Sequence, residues 1–249
     1  MCLLFVALRH FEQVPLLVAF NRDESLDRVT APAHFWSDGS EVLAGRDMLK
    51  GGTWGGITRN GRVAFITFVR RKEKRKDNPC PRGEIVPAFL RNEITAMDYI
   101  EELRRLRTEH LGYNIVCGDV HELVHYSNAS DRITRLEQGI HGISNALLNT
   151  PWPKVTRGTD ALKKLDPLRV PDDDAVFRII TDSERAERHL LPRDTGMSEE
   201  KEWYRSSLFV DAPGYATRSS TVVRFKGDGS ISLTERTHFP TSSEVCFRL

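Results

Sequence analysis

Hydrophobic positions along the chain fall in short runs separated by turn residues. Residues 2–8 and 15–20, rich in Leu, Val and Phe, read as two strands, with His10 to Val14 forming the turn between them. The polar stretch Asn21 to Thr30 follows, and Asp38-Gly39-Ser40 and Gly51-Gly52 mark turns. Trp54 to Thr58 and Arg62 to Phe68 read as a hairpin around Asn60-Gly61, a dipeptide suited to tight turns with positive φ. After the charged run Arg70 to Lys76 come two helical patterns, 83–92 and 96–108. Tyr113 to Cys117 and Glu122 to Tyr126 read as a strand pair, and Gly139 to Ser144 as one more strand. Trp152 to Leu165 and Asp174 to Thr181 have helical spacing, and Ser206 to Val210, Ser219 to Lys226 and Ser230 to Thr237 read as closing strands. Strands and helices come in clusters rather than in strict alternation. This favours an α+β fold over a doubly wound sheet. With neither repeats nor a linker composition, one domain spanning 1–249 is expected.

Charge narrows the function classes. The 36 basic and 35 acidic residues give a formal net charge of +1, so nothing draws the whole chain to nucleic acid. No stretch approaches the ~20 apolar residues of a membrane span, so stable membrane insertion is not expected. The four cysteines, at 2, 80, 117 and 246, form no C-x-x-C pair. Together with the lack of a signal-peptide pattern, they suggest a reducing, cytoplasmic setting. No Cys/His cluster calls for a metal, and no cofactor motif is present. The basic run Arg70 to Lys76 lacks interleaved aromatics and reads as a solvated loop.

Cys2 is the first candidate for chemistry. From spacing alone it begins a buried strand. If Met1 is removed, however, Cys2 carries a free α-amino group with a pKa near ~8. One residue then holds both a nucleophile and a base. Asn21-Arg22-Asp23-Glu24 closes the second apolar run, where polar residues commonly form a turn or cap. A second reading gives them work. An arginine beside a thiol favours the thiolate, and a carboxylate can hold an ammonium group.

These blocks recur in a fixed order: Cys2, Asn21-Arg22-Asp23-Glu24, Gly45-Arg46-Asp47, Gly51-Gly52-Thr53-Trp54, Ser144-Asn145-Ala146 with Pro151-Trp152-Pro153-Lys154, and Thr217-Arg218-Ser219-Ser220-Thr221. In this the chain resembles the NRDE family, also called the transport and Golgi organisation 2 family, over essentially its whole length. That family is similar to N-terminal nucleophile (Ntn) hydrolases of the choloylglycine hydrolase and penicillin V acylase group. The resemblance implies a four-layer αββα sandwich and amide hydrolysis by an N-terminal cysteine. It implies Arg22 and Asp23 beside Cys2, Asn145 as an oxyanion donor and Arg218 as a second arginine near the C-terminal strands. Family members often carry Thr-Asn where this chain has Thr67-Phe68, and Phe68 cannot donate a hydrogen bond. Asn114 is a candidate replacement.

Two pocket functions stay open, beside a third reading as an interaction or structural protein with no pocket chemistry. One is hydrolysis of a C–N amide bond of an acyl substrate through a Cys2 thioester. The other is a carrier that binds haem or a lipid or acyl-CoA in the same pocket, since eukaryotic members are linked to haem trafficking, lipid metabolism and Golgi organisation. The hydrolase needs Arg22, Asp23, Asn145 and Arg218 near Cys2. Neighbours on an extended strand point to opposite faces. Convergence of both Arg22 and Asp23 therefore predicts a break in the strand at Asn21-Arg22.

Overall fold

The computed structural model describes residues 2–69, 79–193 and 195–249, so Met1 and the basic run Arg70 to Lys76 lie outside the described residues. The strands in chain order are β1 (Cys2–Phe11), β2 (Val14–Ser25), β3 (Thr30–Phe35), β4 (Val42–Asp47), β5 (Gly55–Thr58), β6 (Val63–Phe68), β7 (Tyr113–Gly118), β8 (Leu123–Ser127), β9 (Arg132–Arg135), β10 (Gly139–Ile143), β11 (Asp211–Ala212), β12 (Tyr215–Phe225), β13 (Ile231–Thr237) and β14 (Ser243–Arg248). The helices are α1 (Ile85–Arg91), α2 (Ala96–Arg105), α3 (Pro153–Lys163), α4 (Asp173–Ile180) and α5 (Glu199–Tyr204). Contacts divide the chain into two compact units, Met1–Asp27 with Gln138–Leu249, and Arg28–Glu137.

The first unit holds an antiparallel sheet in the order β10-β1-β2-β12-β13-β14, with β11 paired to β12. β1 is buried without interruption from Cys2 to Leu8, so its apolar run does not alternate. Leu3, Phe5 and Ala7 of β1, with Leu17 and Ala19 of β2, pack on Val155 and Leu162 of α3 and Val176, Phe177 and Ile180 of α4. Pro153 begins α3, where a missing N–H costs nothing. The second unit is a meander, β3 through β9, each strand paired with the next. α2 starts at Thr95, whose hydroxyl accepts from the Asp98 N–H and donates to the Asp98 carboxylate.

The α+β class is therefore borne out, along with the β5–β6 hairpin, the β7–β8 pair and helices α1 to α4. Gly52 sits where a Cβ would lie 2.3 Å from the Gly83 carbonyl, and Gly45 lies under the Trp54 ring. The glycines thus serve a tight backbone approach and the packing of Trp54. Two expectations fail. Ser206 to Val210 is not a strand. Its main chain is held from outside a ladder, with Phe209 N–H on the Asp182 carbonyl and the Leu208 carbonyl taken by the Asn21 side chain. Nor does β2 break at Asn21-Arg22, because it continues to Ser25.

Gly158 gives a test of the helix-to-sheet packing. A Cβ there would lie 2.1 Å from Cζ of Phe5. Alanine should gain about 1 kcal/mol of helix propensity, but overpacking costs about 1–3 kcal/mol. Gly158→Ala should therefore lower the unfolding free energy in urea titrations. A rise of about 1 kcal/mol would contradict the packing described.

Candidate active site

Register brings the candidate residues together. Cys2 pairs with Arg22 across β1 and β2, and Arg22 pairs with Ser219 of β12. Ile143 of β10 pairs with Leu4, where that ladder ends, and Asn145 follows two residues later in a bend. Cys2, Arg22 and Ser219 form one row across β1, β2 and β12. Cross-strand partners share a face. Leu3 and Ala19 face the helices, so alternation turns Cys2 and Arg22 to the opposite face. Asn21 and Asp23 belong to the helical side. The Asn21 amide accordingly donates to the carbonyls of Ile180 (2.7 Å) and Leu208 (3.0 Å), and its oxygen accepts from the Ser220 hydroxyl at 2.7 Å.

A bulge in β12 lets one partner strand serve both faces. Thr217 pairs with Asp23 and Ser219 with Arg22, leaving Arg218 as the extra residue between them. In a regular strand Thr217 and Ser219 would share a face. With the added residue, Thr217 stands on the helical side, where its hydroxyl donates to Asp23 Oδ1 at 2.7 Å. Ser219 stands on the side of Arg22. The Tyr215 hydroxyl donates to the Asp23 carbonyl at 2.6 Å. Arg218 directs its guanidinium to the carbonyls of Ser25 (2.7 Å), Leu26 (3.0 Å) and Phe239 (3.5 Å). It fastens the chain where β2 ends.

All five sequence candidates are buried, at 4% exposure or less. Burial pushes the Cys2 thiol up to about 11; the Asp23 charge adds to this, while the Arg22 charge and a hydrogen bond from the Asp23 backbone N–H oppose it. The Asp23 carboxyl is also raised by burial, and the Lys154 ammonium leads the opposing influences. Lys154 is buried in the first turn of α3. Sequence reasoning quoted it within a motif but gave it no role. The available signal was a lysine placed directly after a proline that starts a helix. Held this high, the thiol stays largely protonated at pH 7.

The Ser144 hydroxyl lies 3.3 Å from Asn145 Oδ1, which turns the amide NH2 of Asn145 away from Ser144. In the other unit, Phe68 lies under the Arg82 guanidinium at 3.6 Å. Asn114 donates to Thr67 Oγ1 at 3.1 Å, and His125 Nε2 approaches its oxygen at 3.3 Å. Among the described residues no group of three or more His, Cys, Asp or Glu could hold a metal ion. No helix among them is long and apolar enough to cross a membrane.

Solved structures with low sequence identity share this fold. An N-acylethanolamine-hydrolyzing acid amidase ortholog of Caenorhabditis elegans is 12% identical, with a TM-score of 0.53 over 89% of this chain and 92% of that one. A variant of the conjugated bile acid hydrolase from Clostridium perfringens is 10% identical, with a TM-score of 0.50 over 98% of this chain and 92% of its own. The fold is thus of the Ntn-hydrolase type. The transport and Golgi organization protein 2 homolog of Bos taurus is 32% identical over 238 residues, covering 89% of this chain and 86% of that protein. The Homo sapiens homolog is 29% identical over the same shares. Residues 1–240 match the family described as transport and Golgi organisation 2, and the chain belongs to that family.

Proposed function

We propose that this protein is an N-terminal cysteine hydrolase that cleaves a C–N amide bond of a small acyl substrate through a Cys2 thioester. The pairing of Cys2 with Arg22 across β1 and β2, with Asp23 next along β2, is the observation that carries this reading. Once Met1 is removed, the α-amino group of Cys2 takes the thiol proton as sulfur attacks the carbonyl carbon. The Asn145 NH2 donates to the oxyanion that forms. Collapse expels the amine, which leaves with the proton held by the α-ammonium. Water, deprotonated by the same amine, then hydrolyses the thioester and releases the acid.

Asp23 and Arg22 serve Cys2 from opposite faces without any break in β2. The thiol stands on the face of Arg22, but the main-chain nitrogen of Cys2 lies in the plane of the sheet at the start of β1. Asp23 is one residue beyond the Cys2–Arg22 pair, beside that nitrogen. Its carboxylate holds the ammonium from the helical side while Arg22 stabilises the thiolate from the other. Arg218 acts as a positioning residue, through the carbonyls after β2. A cytoplasmic setting is part of this proposal, supported by free cysteines of which Cys80 and Cys246 are exposed.

A second reading rests on the same thiol. Burial raises the Cys2 thiol, which favours a carrier that binds haem, a lipid or acyl-CoA beside Cys2 without turnover.

A panel of N-acyl aminocoumarins decides between them. Hydrolysis with a transient acyl adduct on Cys2 is expected, lost in Cys2→Ala and reduced about 10²–10³-fold in kcat by Asn145→Ala. An adduct on another cysteine, or turnover unaffected by Cys2→Ala, would refute the hydrolase. Binding of the acyl probes without an adduct, retained by Cys2→Ala, would favour the carrier.

Thiol alkylation separates the two charged neighbours. Asp23 raises the Cys2 pKa, so Asp23→Asn should lower it and speed labelling by iodoacetamide at pH 8, about threefold per pKa unit, while hydrolysis falls. Arg22 lowers that pKa, so Arg22→Leu should slow labelling. Equal labelling rates in both variants would remove these residues from the environment of the thiol.

A further inference from the structure

In the Arg28–Glu137 unit, β4 ends in a turn that exposes aliphatic side chains. Met48 and Leu49 are 58% and 66% exposed, and Val29, whose carbonyl accepts the Met48 N–H at 3.1 Å, is 66% exposed. The turn is rigidly built. Asp47 Oδ1 accepts the Leu49 N–H at 3.0 Å, the Gly51 N–H closes onto the Asp47 carbonyl at 2.7 Å, and Gly51 has φ +79°. Arg28 binds Asp47 Oδ2 through two nitrogens, at 3.0 and 2.5 Å. The three aliphatic groups are therefore held out by the backbone, and nothing in the turn lets them fold back.

Large apolar side chains grouped at one exposed spot mark an interaction site more often than scattered ones do. The chemistry around this tip selects its partner. Three side chains on a projecting turn are far fewer than the 20–30 residues a stable protein interface takes from each side. A lipid surface has no such requirement, because its headgroup region deforms around a small wedge. Charge agrees. Lys50 is exposed beside Leu49 and Arg46 and Arg28 flank the turn, against two carboxylates, Asp47, which Arg28 binds, and exposed Asp27, so the cations exceed the anions by one.

We propose that the 48–51 turn with Val29 is a membrane-docking tip, which seats Met48, Leu49 and Val29 reversibly in the headgroup region of an anionic bilayer. Lys50 and Arg46 then lie at the level of the lipid phosphates and carboxylates. Contact of this kind is weak, since even one acyl chain of a lipid anchor binds only marginally. It leaves the rest of the chain outside the bilayer, and it does not depend on any chemistry at Cys2.

Co-sedimentation of the full chain with vesicles tests the proposal. Vesicles of phosphatidylcholine containing about one-third phosphatidylserine should bind the protein. Binding should fall about fivefold for each cation made ineffective, in Lys50→Gln or on removing the anionic lipid. The double change Met48→Ser with Leu49→Ser should reduce binding at least about tenfold. Its thermal unfolding should match the parent, because both positions are exposed. Leu49→Trp should bind at least as well and show a blue-shifted emission on vesicles. Absence of sedimentation with either vesicle, or equal binding by the double variant, would overturn the proposal. So would a concentration-dependent dimer of the parent that the double variant abolishes, since the tip would then be a protein interface.

Discussion

Three consecutive polar residues, Asn21, Arg22 and Asp23, are buried in a strand at the middle of a sheet, and the unit is built around satisfying them. An unmet buried polar group costs about 1–3 kcal/mol, and an unpaired buried charge costs more. Asn21 is met by Ser220 and by two carbonyls from the helical side. Asp23 is met by the Thr217 hydroxyl, with the Lys154 ammonium opposing the effect of burial. The run Thr217-Arg218-Ser219-Ser220 is thus the complement of Asn21-Arg22-Asp23, written about two hundred residues later in the chain. Its bulge is the device that makes the match. Were the strand regular through Thr217, Arg218 and Ser219, Thr217 and Ser219 would point the same way, and either Asp23 or Arg22 would lose its neighbour.

The same constraint explains which parts were legible in the sequence. Strands with simple apolar runs, such as β1 and the first half of β2, announce themselves, as do helices with proline or threonine starts. The second half of β2 does not, because the residues that concern the site are polar and read as a turn. The expected break at Asn21-Arg22 came from assuming that both side chains must face the thiol. An amine in the plane of the sheet can be reached from the opposite face, so the strand stays regular and the irregularity moves to its partner. Strands β3, β4, β9 and β14 were missed for other reasons. β3 carries Pro32, and β14 is an edge strand with mostly exposed residues. Segment 206–210 has a strand-like composition, yet its carbonyls are taken by Asn21 and others, so composition misled there.

Of the candidate site, the convergence of distant motifs was legible, whereas the division of labour was not. Arg218, expected near the nucleophile, ties down the end of β2. Lys154 entered as one letter of a motif, and in the structure it is the buried cation nearest in effect to Asp23. Such pairings depend on which sheet face a residue occupies, and face depends on a bulge that no local pattern reveals. The thiol illustrates the balance that results. Burial and Asp23 drive it up and Arg22 drives it down, leaving it largely protonated near neutral pH.

The base proposed for the hydrolase is the α-amino group of Cys2 itself. Intact-mass analysis of the purified protein, paired with hydrolysis assays on the same sample, checks this. A chain that begins at Cys2 is expected, with activity proportional to the fraction so processed. Full amide hydrolysis by chains that all retain Met1 would contradict it.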